Sequence, residues 1–546
     1  SNQKDENSKG MTTDLKNTGQ PLQRKESNQK DENSKGMTTD LKNTGQPLQR
    51  LTGSITKVRN LPMNRCDQVS SPKYHLSNQN IPESINGDQF PQNRMNQHRE
   101  APESCFIVVA ISCGNTMSGY SFSFKHMDNK DPWKTEMRCW NSGPRIAFKV
   151  PTSVLIQPDG KTFHSFGYIA EDNYACLKDD NEETKWYYFH RFQMLQHGKM
   201  VSDGNIDLEE KAHKTLPAKT VYSFVIHYLK DDLMSTIGQR LSETLSENEI
   251  MWVFTVPASA TNVGIQFMRD VAAKAGIKDR NLHITLEPEA ASMFFLFPPQ
   301  ETMVYGNEVA SFKPLEPFSR YMVLDAGETI DITVYEVLDG GRLKELYKVC
   351  GGTSGETLVD EAYKQFWITL VGNPIFQRFQ DRANEDYQEM LREFETQKRN
   401  VSPDRNNTFR VRVPQYLIEM SEEQSGKDFL SVIMQTRYAH QVSLRANKLE
   451  INAEVMKSFF SDAIQSIVSN VKDAMEVRDL RGVSSILMVG GFSDSTMLQH
   501  AIQSNFPNVK VIIPREPDFV VLKGAVVLGH NISRFYEMSL PLHVKR

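Results

Sequence analysis

Twice, about 215 residues apart, the chain runs from a short apolar strand through a turn holding glycine and threonine into a second strand. The first unit is Phe106–Ile111, the turn Ser112-Cys-Gly114-Asn115-Thr116, and Gly119–Phe124. The second is Tyr321–Leu324, the turn Asp325-Ala-Gly327-Glu328-Thr329, and Ile330–Val337. Short β-branched and aromatic runs joined by such turns predict β-hairpins. A glycine-bearing hairpin turn can aim backbone N–H groups at phosphate oxygens. Two of them, one from each of two lobes, predict a grip on a polyphosphate from both sides.

The intervening sequence alternates strand and helix patterns, which predicts an α/β protein. Met251–Val256 reads as a buried strand ended by Pro257. Ile265, Met268, Val271, Ala272 and Ala275 then share one helical face, and Gly276 stops it. His283–Leu286 is a short strand running into Glu287-Pro288-Glu289-Ala290-Ala291, which opens a helix. A third strand of the second unit, Leu343–Val349, ends at Gly351-Gly352. Met456–Val471 reads as one buried helix. Ser485–Val489 enters Gly490-Gly491 and a helix, Val509–Ile513 is a last strand, and Lys523–Gly529 is a small-residue helix suited to close packing.

Composition narrows the function classes. Residues 1–24 recur letter for letter at 27–50, and polar residues dominate the first 103. Such a segment buries too little apolar surface to offset its ordering entropy, so 1–103 is expected to be a disordered tail. The net charge of −5 over 546 residues gives no general case for nucleic-acid or membrane binding. No apolar run reaches the roughly 18 residues of a transmembrane helix. The six cysteines (66, 105, 113, 139, 176, 350) form no CxxC pair and fit a reducing cytoplasm better than a disulfide framework.

The order of hairpin, Glu-Pro-x-Ala-Ala helix, second hairpin and Val489-Gly490-Gly491-Phe492 helix resembles the actin-like ATPases, including the 70-kDa heat-shock proteins. The stretches TVPASATNVGIQFMRDVAAKAGI, ITLEPEAASMFF, ILMVGGFSDSTMLQHAI and IIPREPDFVVLKGAVVLG look most like the heat shock 70 kDa protein 12 subfamily. The resemblance runs from about Phe106 to His530. It implies a two-lobed α/β actin-like (ribonuclease H-like) fold, with lobe I over 104–315 plus a helix near 515–535 and lobe II over 316–514. It also implies an ATP or ADP site in the cleft between the lobes. Gly114, Asn115, Thr116 and Gly327 would face the phosphates, and Gly351 and Gly352 would also bind the nucleotide. Glu395, Lys398, Arg399 and Ser402, at i, i+3, i+4 and i+7, would face ribose and adenine from one helix. Gly490, Gly491 and Phe492 would lie opposite, with Ser493 and Asp494 capping the next helix. Glu287, Asp325 and Thr329 take the catalytic places, and Asp325 would hold magnesium through water.

The phosphate side departs from the family. Where the resemblance implies a magnesium-organising aspartate in the first turn, this chain has Ser112. The second turn is one residue short and brings in Glu328. A carboxylate about 5 Å from a phosphate charge costs roughly 3 kcal/mol at an effective dielectric of 20. Gln193 stands where a lysine is implied, with Arg191 and Lys199 as nearby substitutes. The expectation is therefore an ATP-binding, chaperone-related protein with weak or no hydrolysis. The alternatives are an active ATPase and a nucleotide-free scaffold. Partners would be the adenine nucleotide and protein clients or co-chaperones. About 17 residues follow Gly529, too few for the family's peptide-binding domain.

Overall fold

The computed structural model describes residues 105–114, 116–125, 133–142, 145–190, 192, 207–210, 213–239, 245–297, 303–305, 308–310, 315–339, 342–350 and 355–532. The duplicated tail, Asn115, Arg191, Gln193, Lys199, Gly351 and Gly352 lie outside these residues.

Two sheets carry the molecule. In the first, Ile107–Cys113 (β1) pairs antiparallel with Met117–Phe124 (β2) and parallel with Ile250–Val256 (β3), which pairs parallel with Leu282–Leu286 (β4). The second sheet repeats the plan. Arg320–Ala326 (β5) pairs antiparallel with Ile330–Val337 (β6), and β6 pairs antiparallel with Leu343–Cys350 (β7). On its other side β5 pairs parallel with Val483–Val489 (β8), and β8 with Lys510–Ile512 (β9). Both hairpins expected from the turns are present.

The central strands of these sheets are apolar on both faces because both faces are covered, whereas the edge strand β7 is charged and part-exposed. Side chains alternate across a strand. Ile107, Val109 and Ile111 join an outer core with the helices Ala218–Gly238 and Asn262–Lys274, while Val108 and Ala110 turn inward. In β5, Met322, Leu324 and Ala326 face the second lobe's own core, and Tyr321 and Val323 turn inward. The inner layer, shared by both sheets, holds the helices Glu287–Leu296 and Val520–His530. These two helices pack so closely that a Cβ on Gly524 would strike the Ala290 carbonyl. The C-terminal helix thus returns to the first sheet after the chain has completed the second.

Two local expectations are corrected. Met456–Val471 is not one helix: Ala453–Ser458 ends before Phe459 and Phe460, and Ser461–Glu476 begins after them. Both phenylalanines are buried in the second lobe's core, and periodicity carried across the break conceals it. The helix bearing Glu395 is Asn384–Lys398, so Arg399 is its C-cap and Ser402 lies beyond it. Pro403 disfavours helical backbone at Ser402, which removes that residue from the shared face. Among the described residues no helix is long and apolar enough to cross a membrane.

Candidate functional site

The carboxyl ends of β1, β4, β5 and β8 converge on one cavity of about 220 Å³. From the first lobe come Ser112, Gly114, Thr116, Lys149 and Glu287; from the second come Asp325, Gly327, Glu328, Thr329, Gly490 and Gly491. Asp331, Glu356 and Asp518 also face it. Ligands of open α/β sheets gather at strand carboxyl ends, where helix N-termini and turns present free backbone donors.

Neighbours hold each turn, and the second also closes on itself, with the Gly327 N–H donating to the Thr329 carbonyl at 3.0 Å. Thr152 fixes the first: its N–H donates to the Thr116 carbonyl at 2.6 Å, and its hydroxyl donates to the Gly114 carbonyl at 2.7 Å. The second is pinned by the start of the helix Glu356–Val371, where Glu356 N–H donates to the Gly327 carbonyl at 2.9 Å and Gly355 N–H to the Glu328 carbonyl at 3.2 Å. Gly490 has φ of 87° and presses on β5, so that a Cβ there would strike Asp325 and the Ala326 carbonyl. Only glycine meets both demands.

The cavity is rich in carboxyl groups. Burial, then repulsion from Asp325 and Asp331, raises the Glu287 carboxyl well above its ordinary range, with Lys149 acting the other way. Asp325 is raised by burial and by Asp331 and Asp518, again opposed by Lys149. Burial pushes Asp331 up to about 6, against the opposing pull of the Cys350 thiol hydrogen bond and the Lys348 ammonium. Glu356 is raised by burial, and Lys398 opposes the shift. Burial and mutual repulsion thus disfavour ionising all of these acids together, which limits the negative charge the cavity presents.

Of the residues singled out in the sequence, the cavity brings together Gly114, Thr116, Glu287, Asp325, Gly327, Thr329, Gly490 and Gly491. Glu395, Lys398, Arg399, Ser402, Phe492 and Asp494 are not in its lining. The Lys398 side chain is only 3% exposed and pairs with Glu395 at 2.6 Å, Glu356 at 2.7 Å and Asp360 at 2.9 Å. It ties two helices together. Arg399 is 72% exposed and reaches Glu395 at 3.6 Å. Burial and Asp518 raise the Asp494 carboxyl, and Arg399 opposes that shift. The Thr496 hydroxyl donates to the Val401 carbonyl at 3.0 Å, linking their segments. The Phe492 ring belongs to the core, stacked on Phe460. Ser493 and Asp494 do not cap the next helix. That helix is Thr496–Asn505 with Ser495 at its N-cap, and the Ser493 hydroxyl donates back to the Val489 carbonyl.

Lys149, Asp518, Asp331 and Glu356 escape the sequence reading as site residues. Asp331 is legible as the end of the second turn, two residues after Thr329. Lys149 and Asp518 are 369 positions apart, and no local pattern joins them.

No family model matches the chain. Heat shock 70 kDa protein 12A from Homo sapiens is 29% identical over 478 residues, covering 78% of this chain and 70% of that protein. Its Mus musculus counterpart is 28% identical over 478 residues, with the same shares covered. Heat shock 70 kDa protein 12B from Homo sapiens is 29% identical over 474 residues, covering 78% of this chain and 68% of that protein. Two sheets of matching plan around a shared pair of helices make an actin-like α/β fold, and over 78% of its length the chain is similar to the heat shock 70 kDa protein 12 proteins.

Proposed function

We propose that the chain is an ATP-binding, chaperone-related protein of the 70-kDa heat-shock type whose hydrolysis is weak or absent. The observation that carries this is the meeting of both hairpin turns and Gly490–Gly491 in one cavity. At about 220 Å³ the cavity suits the phosphate end of a nucleotide, and the adenosine would extend past Gly491 toward Arg399.

Magnesium fits this donor set only as a hydrated ion. Among the described residues no three His, Cys, Asp or Glu side chains are grouped to hold a metal. Magnesium commonly keeps several waters and relies on one or two carboxylates plus the phosphates. Bound there, it would neutralise phosphate charge. The chain's own contribution is a rigid pair of turns and the carboxylates of Asp325 and Glu287. Ser112 adds no negative charge where the family resemblance implies one. Phosphoryl transfer depends on positioning and charge neutralisation, so the chemical step should be slowed by orders of magnitude.

Isothermal titration with ATP and ADP tests binding: heat with both is expected, and none with either rejects the proposal. Single-turnover hydrolysis separates it from an active ATPase, for which Glu287 and Asp325 in one cavity speak. A fast step abolished by Glu287→Ala would favour the active enzyme.

A further inference from the structure

Lys149 is the one cationic side chain among the described residues lining the cavity. Six carboxylates share that lining: Glu287, Asp325, Glu328, Asp331, Glu356 and Asp518. The lysine's stem lies over Gly119 of β2, where a Cβ would meet its Cγ at 3.2 Å. Its ammonium donates to the Asp518 carboxylate at 2.6 Å and to the Asp518 carbonyl at 2.9 Å. Asp518 sits in the turn Pro517–Phe519, which carries the chain from β9 of the second sheet to the helix Val520–His530 on the first. The rings of Phe148 and Phe519 meet edge to face beside this pair, with centroids 5.6 Å apart. The Gly490 N–H donates to the Pro517 carbonyl at 3.0 Å, so the turn also abuts the second lobe's glycine pair.

We propose that Lys149 is the residue that selects phosphorylated over unphosphorylated ligands in this cleft, and that Asp518 is its internal competitor. The inference rests on the nucleotide reading and names a determinant of that same site. Among the described residues, an entering phosphate finds one cation, already held by a carboxylate. The ammonium has three N–H donors and gives two of them to Asp518, so a phosphate oxygen takes the third or displaces the carboxylate, and in either case Asp518 offsets part of the lysine's charge. A phosphate oxygen offers the ammonium the same charge-assisted hydrogen bond that the carboxylate does. Asp518 therefore sets how much of the lysine's attraction reaches the ligand.

The readout is the ratio of ADP to adenosine affinity, measured by titration in one magnesium-containing buffer. Lys149→Gln should reduce that ratio by roughly 10-fold or more, the scale of a lost hydrogen bond to a charged group. Lys149→Arg should retain most of it, which separates loss of charge from loss of folding. Asp518→Asn should raise the ratio when Lys149 is present and leave it unchanged when combined with Lys149→Gln. A ratio within twofold of wild type in Lys149→Gln overturns the proposal, as does an Asp518→Asn effect that persists without the lysine. If the wild-type chain binds neither adenosine nor ADP, the nucleotide reading itself fails and this inference with it.

Discussion

At the residue scale, Glu287 shows how the cleft stores unfavourable charge. Its carboxyl is raised by burial and by neighbouring acids. The folded chain therefore holds a proton that the unfolded chain releases in the ordinary carboxylate range. Stability falls as pH rises from that range through the raised folded value. Asp331, raised to about 6, adds to the same trend. The urea midpoint of the ligand-free chain should be higher at about pH 5.5 than at about pH 8. Glu287→Gln should flatten this difference by raising the midpoint at the higher pH; an unchanged slope would remove Glu287 as its source. Such residues are legible only in part. Glu287 and Asp325 stand beside recognisable turns, whereas Lys149 acquires its role from a partner far along the chain.

At the element scale, the buried lysine of the helix Asn384–Lys398 gives the clearest prediction. Lys398 serves three carboxylates from two helices and is nearly inaccessible to water. Breaking a fully buried charge pair costs about 3–5 kcal/mol, and here the partial exposure of Glu356, Asp360 and Glu395 lets water offset part of that, leaving about 1–3 kcal/mol. Lys398→Ala should lower the urea unfolding free energy on that scale, and a loss below about 1 kcal/mol would show that the cluster relaxes into water. Strands and their turns are readable because two-sided burial writes continuous apolar runs. Helix ends are less so. Periodicity runs straight through Phe459 and Phe460, and the spacing of Glu395, Lys398, Arg399 and Ser402 continues past the point where the helix stops.

At the scale of the whole molecule, each sheet repeats one strand order, and the two inner helices join them. That plan can be anticipated from the repeated hairpin and the small-residue C-terminal helix. Contacts between distant elements cannot: Arg392 reaches Asp172 at 3.3 Å and Glu171 at 3.7 Å, pairings that no spacing encodes. The central claim is that both hairpin turns hold the phosphates of one nucleotide. A crystal structure of the chain soaked with ADP tests it most directly. The phosphates should lie between the Gly114–Thr116 and Gly327–Thr329 turns, with the Lys149 ammonium donating to them. ADP bound on another surface, or a cleft still empty at saturating ADP, would contradict the account.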